Sequence, residues 1–183
     1  MIVKSETLRQ YSTPLQFAMP LIGATAILMA TQVRIDLPFT PVPITGQTFA
    51  VILWGLLFGS RQGALASAAY LMAGAVGLPV FAGFTSLTAL WGPTAGFLLG
   101  FVPAAWVAGW LKESGWTNTI LSTFAAAVLS SLPIFIMGIP VLASFVGWSN
   151  IMTMGVYPFI LGDVIKSILA TMTVVVVNNR RRR

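Results

Sequence analysis

The sequence contains no cysteine and no histidine, and only 8% of its 183 residues are charged. Without cysteine there is neither a disulfide framework nor a thiol nucleophile. Without histidine there is no imidazole base, and structural zinc has lost both of its usual ligands. Four acids stand against ten bases, and so low a charged fraction, set against about 25% in soluble domains, excludes a water-soluble globular protein. A phosphate-binding loop of the form G-x-x-x-x-G-K-[ST] is also missing, because Lys166-Ser167 is preceded by Ile165. The chain therefore has no ATPase motif of its own, and we expect neither an enzyme nor a bound cofactor or metal.

What the sequence does have is apolar length, with 57% hydrophobic residues. Six runs, 15–33, 47–58, 64–76, 94–111, 120–139 and 151–177, are separated by turn-rich or charged stretches. A spanning helix needs about 20 apolar residues, so six use roughly 120 of the chain and leave no room for a soluble domain. The expectation is an all-α integral membrane protein, a single six-transmembrane-helix bundle. The first run is read as a span rather than a signal peptide, being long enough to cross and lacking a clean small-x-small cleavage site after it.

The bases set the orientation, since Lys and Arg in short loops stay on the cytoplasmic side. Lys4 and Arg9 precede the first run, Arg61 lies between the second and third, and Lys112 between the fourth and fifth. Arg180, Arg181, Arg182 and Arg183 follow the sixth. All of these fall on one side, the other receiving only Arg34 beside Asp36, which makes both termini cytoplasmic, and bases scattered in this way are topological rather than a nucleic-acid face.

Asp163 and Lys166 are the main chemical signal. An ionised side chain at membrane depth costs at least about 2.5 to 3.5 kcal/mol, so such residues face a bundle interior or a watery cavity. Their i, i+3 spacing puts them on one helix face. They form either a self-neutralising structural pair or a ligand site offering carboxylate acceptors and ammonium donors. Gln47 and Thr45, at the start of the second helix, could join such a site. The uncharged loop Phe84-Thr85-Ser86-Leu87-Thr88-Ala89-Leu90-Trp91 has the composition either of a lid, with Thr85 as its polar contact, or of an ordinary interfacial loop. Phe84, Trp91 and Tyr70 are candidates for apolar walls, and equally for packing or interfacial positions. Ala26 and Ala30, extended on a neighbouring stripe by Gly23, form a small-residue pattern that lets another helix approach closely, from this bundle or from a partner.

Several motifs resemble one family. Pro41-Val42-Pro43-Ile44-Thr45 with Gln47-Thr48, Gly77-Leu78-Pro79-Val80-Phe81-Ala82-Gly83, Gly92-Pro93-Thr94, the Gly96 to Phe101 stretch, and Gly162-Asp163 with Ile165-Lys166 are similar, in order and spacing, to the BioY family of biotin-capturing S components of energy-coupling factor (ECF) transporters. The resemblance runs from the first helix to the sixth. It implies a biotin pocket opening outward in a bacterial cytoplasmic membrane. It also implies that Ala26 and Ala30 match the alanine motif by which S components dock on a transmembrane coupling protein, whose two ATPase subunits supply the power. The chain departs from many relatives at Phe84-Thr85-Ser86-Leu87, where glycine is common, and at Ala95. No base occurs in 94–111, so the partner of the biotin carboxylate stays open. Rival readings are an S component for another vitamin, a solitary transporter driven by protons through Asp163, and an intramembrane enzyme relying on Asp163 alone.

Overall fold

The computed structural model of the chain describes residues 13–181. Lys4, Arg9, Arg182 and Arg183, used above for orientation, lie outside the described residues. Helix α1 spans Thr13–Thr31, followed by a two-residue antiparallel ladder of β1, Arg34–Ile35, and β2, Ile44–Thr45. Helices α2, Gln47–Phe58, and α3, Ser60–Ala75, come next, then two 3-10 turns at Ala82–Phe84 and Leu87–Trp91. The chain continues through α4, Ala95–Leu99, α5, Phe101–Glu113, and α6, Ile120–Val146. A π-helical turn, Met152–Val156, leads into α7, Tyr157–Arg181. With α4 and α5 taken end to end, the described residues form six helical rods.

The differences from the sequence reading have local causes. The third helix starts at Ser60 rather than 64, because Gly59 alone turns the corner at φ 91°. Its Ser60-Arg61-Gln62-Gly63 stretch is the first turn of α3, not a loop. The Glu113 carboxylate of α5 caps that turn, accepting from the Ser60 N–H at 2.8 Å and the Ser60 hydroxyl at 2.9 Å. The fifth helix does not stop at 139 but runs through Pro140 to Val146. A proline removes one ladder bond, which neighbours can offset in an apolar bundle, and the apolar run continues until Gly147 turns at φ 81°. The stretch 34–43, read only as a turn, begins with β1.

Glycines set the helix spacing. A Cβ on Gly55 or Gly63 would meet the Ala105 carbonyl oxygen, and one on Gly109 would run into the Ser60 backbone. Helices α2, α3 and α5 therefore cross at backbone distance. Around the cavity described below, a Cβ on Gly96 would meet the Met137 carbonyl of α6, and one on Gly138 would occupy the Phe97 ring. These contacts seat α4 on α6 and aim its aromatic face inward.

The outside of the bundle is apolar. Leu121 is 78% exposed, Phe17 75% and Leu161 70%, whereas Ser67, Thr123 and Ser130 are fully buried. Of those buried hydroxyls, Thr123 and Ser130, like Thr31 and Thr171, donate to the carbonyl four residues back. Three stretches, Ala95–Glu113, Ile120–Val146 and Met152–Arg180, are long and apolar enough to cross a membrane, while Leu15–Thr31 and Gln47–Phe58 are shorter apolar helices. The α2–α3 corner with Arg61 and the last turn of α5 with Lys112, which leads into the α5–α6 loop, share one end, joined by the Ser60–Glu113 bonds. Asn178 of α7 reaches that loop, donating to the Thr117 carbonyl at 3.2 Å. The ladder and the 79–93 loop occupy the opposite end.

One buried hydroxyl ties that opposite end together. Tyr70 of α3 is 1% exposed. Its oxygen accepts from Gln47 Nε2 at 2.6 Å, donates to the Val80 carbonyl at 3.0 Å and lies 3.0 Å from Thr31 Oγ1. Three helices and the root of the 79–93 loop thus meet at one oxygen, with the Phe81 ring packed edge-on at 5.4 Å. Tyr70→Phe leaves the Gln47 donor and the Val80 acceptor buried and unpaired, and should cost about 1 to 3 kcal/mol of stability. Denaturant or thermal unfolding of the purified variant in detergent checks this, and a wild-type transition would refute it.

Candidate functional site

Between the ladder, the 79–93 loop and helices α2, α4, α5, α6 and α7 lies a cavity of about 390 Å³, within the usual range of small-molecule sites. Its wall has three zones. Phe97, Phe101, Phe135 and Phe159 form the apolar part, with the Phe97 ring 6.1 Å from Phe159 and 6.5 Å from Phe135. Asp163, Lys166, Thr48, Gln47 and Thr45 form a polar part, and Arg34 with Asp36 a charged one.

Asp163 and Lys166 sit in the second and third turns of α7, and both are half-buried and face the cavity. The ammonium does not close on the carboxylate. Lys166 Nζ donates to Thr48 Oγ1 of α2 at 2.9 Å, and the Asp163 carboxylate interacts with Ser131 of α6 as well as with Lys166. The two groups present separate donor and acceptor positions on one side of the cavity, which is the arrangement a ligand site requires and a locked ion pair does not.

Gln47 and Thr45 are held in place by each other. Thr45 Oγ1 donates to Gln47 Oε1 at 2.9 Å, and Gln47 Nε2 is engaged by Tyr70. Each end of the amide keeps one further hydrogen-bonding position. Thr85 also lines the cavity, and its hydroxyl donates to the Ala82 carbonyl at 3.0 Å, bracing the loop turn.

The three residues expected as apolar walls stand elsewhere. Tyr70 lies behind Gln47, outside the lining. Trp91 is 80% exposed and Phe84 70% exposed, and neither reaches the cavity. Phe84 adopts φ 56° in the turn, and Trp91 closes a 3-10 turn at the edge of the bundle, a place where the amphipathic indole suits a membrane interface. The aromatic wall comes instead from helix residues. Phe97 and Phe101 are spaced i, i+4 beside the close-packing glycines, the signal that could have found them. Thr48 belongs to the Gln47-Thr48 motif and Arg34 to the turn-rich stretch; long-range packing that the sequence does not show brings both to the cavity.

The small-residue stripe divides. Gly23 faces into the bundle against Trp54 and Ala66, and Ala30 packs on the core and on Gly46. Ala26 is half-buried on the outward side of α1, in line with exposed Ile22, Met29 and Val33.

Comparison with known proteins agrees in sequence and in fold. The BioY family model matches residues 6–183. A probable biotin transporter BioY of Pyrococcus horikoshii is 34% identical over 82% of this chain and 89% of its own length. A biotin transporter BioY of Thermotoga maritima is 36% identical over the same shares of the two chains, and one from Rhizobium etli is 35% identical over 83% of this chain and 86% of its own. A crystal structure of the S-component for biotin from an ECF-type ABC transporter superposes with a TM-score of 0.79, covering 94% of this chain and 95% of that one at 24% identity. The chain belongs to the BioY family.

Proposed function

We propose that this chain captures biotin at the cytoplasmic membrane as the substrate-binding S component of an ECF-type transporter, and performs no covalent chemistry. Family membership supplies the ligand. The observation that carries the mechanism is the cavity with Asp163 and Lys166 on its wall. The ureido ring of biotin has two N–H donors and one carbonyl acceptor, which match the Asp163 carboxylate and the Lys166 ammonium. Its fused rings and aliphatic chain are apolar and match the phenylalanine wall. Such an assignment gives two charged side chains inside an apolar bundle a compensating partner.

In the membrane we read the six rods as six spans with both termini cytoplasmic, Arg61, Lys112 and Arg180 marking the cytoplasmic end. Helix α2 has 12 residues, about 18 Å at 1.5 Å per residue, short of the roughly 30 Å hydrocarbon core. The missing depth is filled by the ladder and the 79–93 loop. Irregular backbone is tolerated at such depth where it lines a cavity, and here it covers the outward mouth. A separate coupling protein and two ATPase subunits supply the power, with Ala26 on the docking face.

If Asp163 accepts from a ureido N–H, Asp163→Asn should weaken biotin binding by about 1.5 to 3 kcal/mol, or about 10- to 150-fold. Equilibrium titration of the purified variant checks this, and unchanged affinity in a folded protein would make Asp163 structural.

The docking face makes a separate forecast. Because Ala26 points outward while Ala30 packs inward, Ala26→Trp alone should retain biotin binding but lose copurification with the coupling protein and ATP-driven uptake. Parallel loss of folding and binding would instead identify overpacking within the bundle.

A further inference from the structure

The cavity reading above leaves the acid group of the ligand without a partner. Two cations line the cavity, Lys166 and Arg34. Lys166 is committed to Thr48 and to the field of Asp163. Arg34 lies on β1, where its cross-strand neighbour is Thr45. Thr48, the partner of Lys166, is three residues further along the chain, in the first turn of α2. The two cations thus stand at opposite ends of a short polar track, Arg34 toward the mouth and Lys166 toward the interior.

Arg34 is fixed from two sides. Its Nη2 donates to Asp36 Oδ2 at 2.6 Å. Its Nη1 rests against Gly83 of the loop, in the place a side chain would occupy: a Cβ on Gly83 would collide with it. Gly83 also has φ 71°, a conformation glycine adopts without strain. The guanidinium therefore bridges the ladder and the loop over the cavity. Its side chain is 37% exposed, and the Asp36 contact involves only one of its two terminal nitrogens. A guanidinium has five N–H donors in a planar fork, so a second carboxylate can be received beside Asp36, bidentately if Asp36 swings out. Asp36, at 61% side-chain exposure, has the solvent access to do so.

We propose that Arg34 recognises the carboxylate of the ligand and sets the specificity of the cavity for an acid over its uncharged analogues. This rests on the reading of the cavity as the biotin site. The ligand then spans the cavity, its ureido ring at Asp163 and Lys166, its chain along the phenylalanine wall and its carboxylate at the mouth. Charge supports that orientation. The lining carries Arg34 and Lys166 against Asp36 and Asp163, and an incoming carboxylate is received at the cation whose counterion can return to water.

The test uses the purified full chain with biotin and with biotinamide, which keeps the ring and chain but has no charge. The wild type should bind biotin about tenfold tighter than biotinamide. Arg34→Gln should abolish that preference by weakening biotin alone, and Arg34→Lys, which keeps charge without the fork, should restore part of it. Equal weakening of both ligands by Arg34→Gln would make Arg34 a structural tie between ladder and loop, and overturn the proposal. So would a wild type indifferent to the carboxylate, a result that needs no folded variant. A wild type that binds neither compound would instead remove the biotin reading itself, and this inference with it.

Discussion

A carboxylate and an ammonium cannot be placed inside an apolar bundle without partners, and the rest of this structure is arranged around that constraint. With only 8% charged residues, the chain nevertheless puts Asp163 and Lys166 within α7, where each ionised group costs at least about 2.5 to 3.5 kcal/mol if left facing hydrocarbon. The bundle answers with hydroxyls from two neighbouring helices, Thr48 of α2 and Ser131 of α6, and with a cavity instead of packed side chains. A fully closed ion pair would need no cavity. Here the two groups look onto the same space separately, so a polar ligand can complete them.

That space exists because other contacts are very close. Glycines at positions 55, 63, 96, 109 and 138 let backbones and rings meet at distances a methyl group would forbid. The closeness of α2, α3 and α5 on one side and of α4 and α6 on the other holds the rods in place around an unfilled centre. The mouth of the cavity is then covered by irregular backbone, braced by the Tyr70 hydroxyl beneath and the Arg34 guanidinium above. Short helices, a two-residue ladder and two 3-10 turns serve one end of the bundle. The other end is closed by a helix-capping carboxylate, Glu113, and a side-chain bond from Asn178.

Much of this was legible in the sequence because it is periodic or costly. The bounds of α2 at 47–58 follow from its apolar run and flanking glycines, and Asp163 with Lys166 stood out because charge inside a hydrophobic run demands a reason. Gln47, Thr45 and Thr85 stand at the start of the second helix and in the uncharged loop, and the fold brings all three to the cavity wall. What could not be read was anything decided by long-range approach. Tyr70 and Trp91 are both aromatic and near the mouth in sequence, yet one faces a buried network and the other the outside. Phe135 and Phe159 become wall residues only because α6 and α7 pack beside α4. Pro140 looked like a helix stop, since a proline's local cost is visible in a sequence and the tertiary support that offsets it is not.

The account's central claim is that this chain by itself holds biotin and that transport requires other subunits. The most direct measurement is equilibrium binding of biotin, riboflavin and thiamine to the purified chain, followed by biotin uptake into vesicles carrying the chain with and without the coupling protein and ATPases. The account predicts selective binding of biotin by the chain alone, and ATP-dependent uptake when the other subunits are present. Failure of the isolated chain to bind biotin, or accumulation of biotin by the chain alone, would contradict it.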